Sequence, residues 1–233
     1  MTPSADPSHA RRIRTMFDAV AHRYDLLNHL LSAGVDVRWR RLAVRALGVH
    51  AGDRVLDLCT GTGDLALEAL RAEPRARVAG IDLAKNMLLR GAAKRGAAGI
   101  AFVQGDAEAL PFADASVDRA SVGFGIRNVA APRAAFAETA RILRPGGRFV
   151  VLEFTTPPNR LFRGVYHAYF HRLLPVVGRA VSGHPDAYRY LPDSVSRFPP
   201  PRDLAAMLRE VGFREVRWRS LHGGIAALHV AER

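Results

Sequence analysis

Cysteine and lysine are nearly missing from this chain. A single thiol, Cys59, excludes an internal disulfide and fits a reducing compartment. Only Lys85 and Lys94 are lysines, so all but two of the 34 cationic side chains are arginine. No apolar run approaches the roughly 18 residues that span a bilayer. The opening MTPSADPSHARRIR lacks an apolar centre, so no secretory signal is expected. These absences predict a soluble, cytoplasmic protein. No metal-ligand spacing is present, so no metal is expected, and no Ser/His/Asp catalytic set can be argued. Internal repeats and low-complexity segments are also lacking.

What is there suits one folded unit. The chain has 233 residues, 48% of them apolar, which is enough for a sizeable core. The net charge is +12, and residues 1–50 and 157–202 together hold +9 of it. Two readings of those basic flanks stand side by side: a solvated arginine-rich surface, or attraction to an anionic partner such as a lipid surface. No RNA- or DNA-binding motif accompanies them, so nucleic acid is not an expected partner.

From about residue 53, short β-type runs alternate with helical stretches, the pattern of a parallel α/β sheet. Strands are expected at Arg54–Leu58, Arg77–Ile81, Ala101–Gln104, Val117–Val122 and Arg148–Phe154. Helices are expected at Gly63–Ala72, Lys85–Arg95 and Pro132–Leu143, the last stopped by "RPGG" at Arg144–Gly147. Runs at Arg214–Arg219 and Ile225–Val230 flank "HGG" and suit a closing antiparallel hairpin. Residues 1–50 read as a helical N-terminal cap, with apolar positions from Met16 to Leu31 at helical spacing and Gly34 as a stop. Residues 51–233 then form the α/β domain, with a helical insertion at about 157–202. Within it, 159–174 reads as an amphipathic helix with Arg163 on a polar face.

The glycine-rich "DLCTGTGDLA" lies at the first strand–helix turn, where open α/β sheets bind nucleotides. Gly61, Gly63 and Ala66 fit a dinucleotide fingerprint, but a pyrophosphate prefers a turn without carboxylates. Asp57 and Asp64 bracket this turn, which suits the cationic sulfonium and ammonium of S-adenosylmethionine. Asp82 ends the second strand, where it can accept from ribose hydroxyls. Asp106 follows the third, where it can accept from an adenine amino group. Each acid alone reads equally as a helix cap or turn former. Acids after three successive strands favour the nucleoside reading.

Together "VLDLCTGTGD", "GIDLAKNML", "GDAEALPFAD", "GFGIRNV", "RILRPGGRFVVLEF", "YRYLPDSVSRFP" and "GGIAALH" resemble the ubiquinone/menaquinone biosynthesis C-methyltransferases. "FDAVAHRYDLLNHLLSAGVDVRWR" resembles that family's N-terminal signature, so the likeness runs from about Phe17 to His229. The resemblance implies a class I, Rossmann-like S-adenosylmethionine-dependent methyltransferase with a seven-stranded, mostly parallel sheet. It places Thr62, Asp82, Asp106 and Ala107 on cofactor contacts, and Gly123 where some relatives carry serine. Cys59 stands where many methyltransferases have the first glycine of the turn, and it reads as packing.

The implied chemistry is methylation of a ring carbon on a polyprenylated quinol, whose ortho carbon becomes nucleophilic once a hydroxyl is deprotonated. Arg127 and Asn128, after the fourth strand, are expected at the acceptor, Arg127 stabilising the phenolate or orienting a water. Arg127 reads alternatively as a salt bridge locking its loop. Tyr24 and Asp25 are further catalytic candidates, and His222 is another. "GFGIRNV" and "GGIAALH" lean towards demethylmenaquinol as acceptor. Benzoquinol methylation, another small-molecule methyltransferase, a pyridine-nucleotide enzyme and a non-catalytic nucleoside-binding protein remain alternatives. A bilayer-dwelling quinol implies contact with the inner face of the membrane, with 159–174 either lying in the interface or roofing the quinol pocket. Oligomeric state stays open.

Overall fold

Residues 7–21, 34–160, 163–164 and 185–233 are described by a computed structural model of the protein. Aliphatic runs form the strands β1 (Arg54–Leu58), β2 (Arg77–Asp82), β3 (Ile100–Gln104), β4 (Val117–Gly123) and β5 (Leu143–Phe154), followed by β6 (Arg214–Leu221) and β7 (Ala226–Glu232). They make one seven-stranded sheet in the order β3-β2-β1-β4-β5-β7-β6. The β3–β2, β2–β1, β1–β4 and β4–β5 pairs are parallel, and β7 runs antiparallel to both β5 and β6. The expected mostly parallel sheet with a C-terminal antiparallel hairpin is therefore present. The strand order reverses between β1 and β4, and open α/β sheets form a ligand crevice at such a point.

The helices are α1 (Pro7–Val20), α2 (Val35–Leu47), α3 (Asp64–Ala72), α4 (Lys85–Ala92), α5 (Pro132–Ile142), α6 (Pro185–Arg197) and α7 (Pro201–Glu210). They cover both faces of the sheet. Alternation along β1 sends Leu56 and Leu58 into a core layer with Phe136, Phe149 and Leu208, while Val55 joins Trp39, Leu47 and Leu67 on the other side. Burial on both faces accounts for Val55, Leu56 and Leu58 of β1, while β4 buries Asp118, Arg119 and Ser121 among its apolar residues.

Two boundaries depart from the sequence reading, and one helix goes beyond it. The chain just before Gly34, where a helix is expected to stop, lies outside the described residues; Gly34 itself, at φ 76°, immediately precedes α2, whose Trp39, Ala43, Val44 and Leu47 bury one stripe. Helix α4 ends at Ala92, short of the expected Arg95, ahead of Gly96 at φ 87°. "RPGG" does not separate helix from strand. Leu143 already pairs with Val117, and the register shifts before Arg148 meets Arg119, so these residues bulge within β5. Arg233 holds that bulge through backbone bonds from Gly146 N (2.9 Å) and to Gly147 O (3.0 Å). Most of 159–174 lies outside the described residues, and no helix among those described is long and apolar enough to cross a membrane.

His229 sits in β7, 1% exposed, with Nε2 placed 2.9 Å from the Pro201 carbonyl. Burial pulls its pKa down from 6.5 to about 4, so the ring is neutral when folded. A lowered pKa means that its stability contribution is intact above pH 6.5 and is lost as pH falls towards 4. That loss is about 3 kcal/mol. In urea titrations between pH 7 and 4, His229→Gln should lose less stability than the parent by about that amount. Parallel stability curves would remove the buried ring from the account.

Candidate active site

The cleft begins with a buried acid. Asp57, near the end of β1, lies beside Gly80 of β2 and Ser121 of β4 in the sheet register. Its carboxylate accepts from Ser121 Oγ (2.7 Å) and from Thr60 Oγ1 (2.6 Å). A Cβ on Gly80 would come within 2.7 Å of the Thr60 side chain, so that glycine makes room for the hydroxyl. Burial, chiefly, pushes the Asp57 pKa up to about 7, with the Asp82 charge adding to it and the two hydroxyls opposing it.

From there the chain turns through three left-handed residues, Cys59 at φ 49°, Gly61 at φ 56° and Gly63 at φ 78°. Gly61 N donates to Asp82 Oδ2 (2.8 Å), and Ala84 N donates to Asp82 Oδ1 (2.8 Å). The acid that ends β2 thereby fixes both its own turn and the glycine turn. Desolvation raises its pKa, against the pull of those backbone donors. Gly63 has another purpose, because a Cβ there would come within 2.9 Å of the Phe102 ring, so it seats α3 against β3. Cys59 packs against Gly125 so closely that a Cβ on Gly125 would overlap it. Burial and the surrounding Asp82, Asp57, Asp106 and Glu153 charges push the thiol pKa up and keep it neutral.

After β3, Asp106 Oδ1 accepts from Glu108 N (2.9 Å), and Glu108 Oε1 accepts from Ala131 N (2.9 Å). These bonds pin the loop after β3 to the loop after β4. Helix α1 crosses the opening. Its Phe17 packs with Met87 and Ala84, and Asp18 accepts from Asn86 N at the start of α4 (2.8 Å). Phe17, Ala84 and Met87, with residues at the ends of β1 and β2 and just after β3, line one cleft that opens to solvent.

On the acceptor side Arg127 turns inward. Its Nη1 donates to Glu153 Oε1 (2.7 Å) and to the Phe124 carbonyl, and its guanidinium lies 5.4 Å from the centre of the Phe154 ring. Both ionic side chains are almost fully buried, 5% and 1% exposed, so each depends on the other. Tyr190 of α6 lies within the fields of Arg127, Arg197, Arg12 and Glu153, and burial raises its phenol pKa. His222 receives Trp39 Nε1–H on Nδ1 (2.7 Å) and stacks edge-on against that indole.

Comparison with known proteins fits this architecture. A model of the ubiE/COQ5 methyltransferase family matches residues 6–233. The chain belongs to that family. It is 50% identical over 220 residues to a demethylmenaquinone methyltransferase of Thermus thermophilus, covering 94% of this chain and 100% of that protein. It is 48% identical over 218 residues to a ubiquinone/menaquinone biosynthesis C-methyltransferase of Syntrophotalea carbinolica, covering 93% and 92%. A solved Thermotoga maritima structure, described as a SAM-dependent methyltransferase, superposes with TM-score 0.67 at 19% identity over 94% of this chain and 99% of its own, which supports the fold.

Within this ubiE/COQ5 methyltransferase, Asp57, Gly61, Asp82, Asp106, Ala107, Gly123 and Asn128 all line the cleft. Thr62, Gly63 and Arg127 do not line it, and Tyr24 and Asp25 lie outside the described residues. Thr62 Oγ1 instead receives Lys94 Nζ (2.7 Å). Asp64 reaches the cleft, but its charge is already met by Lys94 (2.6 Å) and Arg40 (3.4 Å), which weakens the sequence argument that it awaits a cation. Sequence reasoning passed over Thr60, Ser121, Glu108, Glu153 and Tyr190. Glu153 carried a visible signal, an acid closing the apolar run "VVLEF".

Cys59 and Gly125 are coupled by shape. Gly125→Ala should cost about 1–3 kcal/mol by overpacking and lower cofactor affinity by displacing the turn. Adding Cys59→Gly removes the obstructing Cβ at a left-handed residue, and the pair should recover most of both losses in a double-mutant cycle. Additive losses would show that the contact does not set the turn.

Proposed function

We propose that this methyltransferase transfers a methyl group from S-adenosylmethionine to a ring carbon of a polyprenylated demethylmenaquinol. The observation that carries the reading is the convergence of Asp57, Asp82 and Asp106 on one cleft in a chain of this family. The cleft fits such a cofactor. It is rich in carboxylates where a sulfonium and an ammonium need them, and it offers an acid at the end of β2 for a ribose.

When bound, the cofactor supplies both the electrophilic methyl group and its leaving group. The residues then supply position and field. Asp82 accepts from the ribose hydroxyls with lone pairs not taken by Gly61 and Ala84. Asp106 and Ala107 hold the adenine edge. Gly61 and Gly123 let the backbone approach closely, and Thr62 steadies the turn from behind through Lys94. Asn128 meets the acceptor. Arg127, anchored on Glu153 behind the cleft wall, holds the Asn128 loop in place on the acceptor side. Tyr24 and Asp25, which lie outside the described residues, are proposed as further catalytic groups on the sequence alone. The basic flanks bring the enzyme to the inner face of the membrane, where a polyprenyl quinol resides.

The test is product analysis. The protein with S-adenosylmethionine and a short-chain demethylmenaquinol should yield S-adenosylhomocysteine and a quinol whose NMR spectrum has lost a ring proton and gained a ring methyl. A benzoquinol acceptor run in parallel separates the two quinone classes. Arg127→Ala should lower kcat and kcat/KM together, with cofactor affinity unchanged. Absence of ring methylation on either acceptor would overturn the reading.

A further inference from the structure

Arg40 is a largely buried cation at a cleft otherwise dominated by acids. It projects from α2 beside the start of α3, and its side chain is 11% exposed. Nη2 pairs with Asp36, one turn earlier on the same helix, and lies 3.4 Å from Asp64 Oδ2. Asp64 is also held by Lys94 Nζ at 2.6 Å, so two acids and two bases form a neutral group. Among the described residues the other cation on the cleft wall, Arg14 of α1, is solvent-exposed. Of these two, Arg40 is the guanidinium whose position the fold determines.

Both ion pairs of Arg40 use one nitrogen, Nη2, while a guanidinium carries five N–H donors in a planar fork. A carboxylate is the group that such a fork receives best, through two parallel hydrogen bonds. The cleft thus separates its charges. Asp57, Asp82 and Asp106 line the part built on the ends of β1, β2 and β3, and Arg40 stands across the glycine turn beside Asp64. A ligand that carries both signs fits this arrangement better than a simple cation.

We propose that Arg40 receives the α-carboxylate of the cofactor's methionyl tail. Asp36 and Asp64 act as positioning residues that hold the guanidinium in place. The inference rests on the S-adenosylmethionine reading above and assigns one end of that ligand. It also explains the ring of charges around Asp64, which orients Arg40 and so serves the cofactor indirectly.

Calorimetry with three ligands tests it: S-adenosylhomocysteine, its decarboxylated analogue, and 5′-methylthioadenosine, which lacks the amino-acid tail. For the unmodified protein, removing only the carboxylate should weaken binding about tenfold to a hundredfold, as expected for a charge-assisted bidentate contact. Arg40→Gln should weaken S-adenosylhomocysteine by a similar factor while leaving the decarboxylated analogue and 5′-methylthioadenosine unchanged. Retained binding of 5′-methylthioadenosine reports an intact cleft in the variant. Equal losses for all three ligands, or unchanged S-adenosylhomocysteine affinity, would overturn the assignment. If Arg40→Gln does not fold, equal affinity of the unmodified protein for S-adenosylhomocysteine and its decarboxylated analogue overturns it alone. Should the unmodified protein bind none of the three, the cofactor reading itself fails, an outcome distinct from a misassigned carboxylate.

Discussion

A carboxylate buried beneath a backbone turn is the constraint from which the rest of this site follows. Asp57 is 1% exposed, and its two oxygens are held by hydroxyls from the following turn and from the neighbouring strand. Such a group resists ionisation, and its pKa near 7 records the conflict. Removing that strain calls for positive charge from outside the fold. The glycine at position 80, the serine at 121 and the threonine at 60 are all accommodations to this one acid. Asp82 extends the arrangement by tying Gly61 to β2, so the turn is fixed before any ligand arrives.

A second constraint links distant parts of the chain. Trp39 of α2 donates to His222, in the turn between β6 and β7, and packs against Phe124 (6.0 Å between ring centres) and Phe154 (6.2 Å). The cluster joins an N-terminal helix, the loop after β4, the end of β5, and the closing hairpin. Arg127 lies against its Phe154 edge with Glu153 beneath. The acceptor-side loop is thereby held by buried charge on one side and aromatic packing on the other. A cation and an anion removed from water together are strongly destabilised when either is lost. The composition of this region therefore leaves little freedom for substitution.

The sheet was legible because parallel strands buried on both faces read as apolar runs, and the acids closing β1 and β2 sit where that periodicity ends. The helix Val35–Leu47 was less legible, because Gly34 before it looked like a stop and its stripe of Trp39, Ala43, Val44 and Leu47 is narrow. "RPGG" misled for a related reason. Proline and glycine signal a break in regular structure, but local sequence does not distinguish a turn from a bulge, and here pairing on either side continues the strand. At the site, residues that contribute a special backbone or an acid could be read in advance. Partners brought from afar, such as Lys94 for Thr62 and Gly125 for Cys59, depend on tertiary proximity and left no local trace; Glu153 stood out as an acid in an apolar run, but its pairing with Arg127 did not. Cys59 itself was legible as packing, and its mate was not.

The account's central claim is that the turn above Asp57 awaits a cation. Titration calorimetry of S-adenosylmethionine near pH 7, in buffers of differing ionisation enthalpy, reads this directly through the protons exchanged on binding. A carboxyl with a pKa of about 7 is partly protonated at that pH, and an arriving positive charge lowers its pKa. Binding should therefore release a fraction of a proton at pH 7, more at pH 6 and almost none by pH 9, and Asp57→Asn should abolish the release. Heat that is independent of buffer, or proton uptake such as an anionic ligand would cause, would contradict the account.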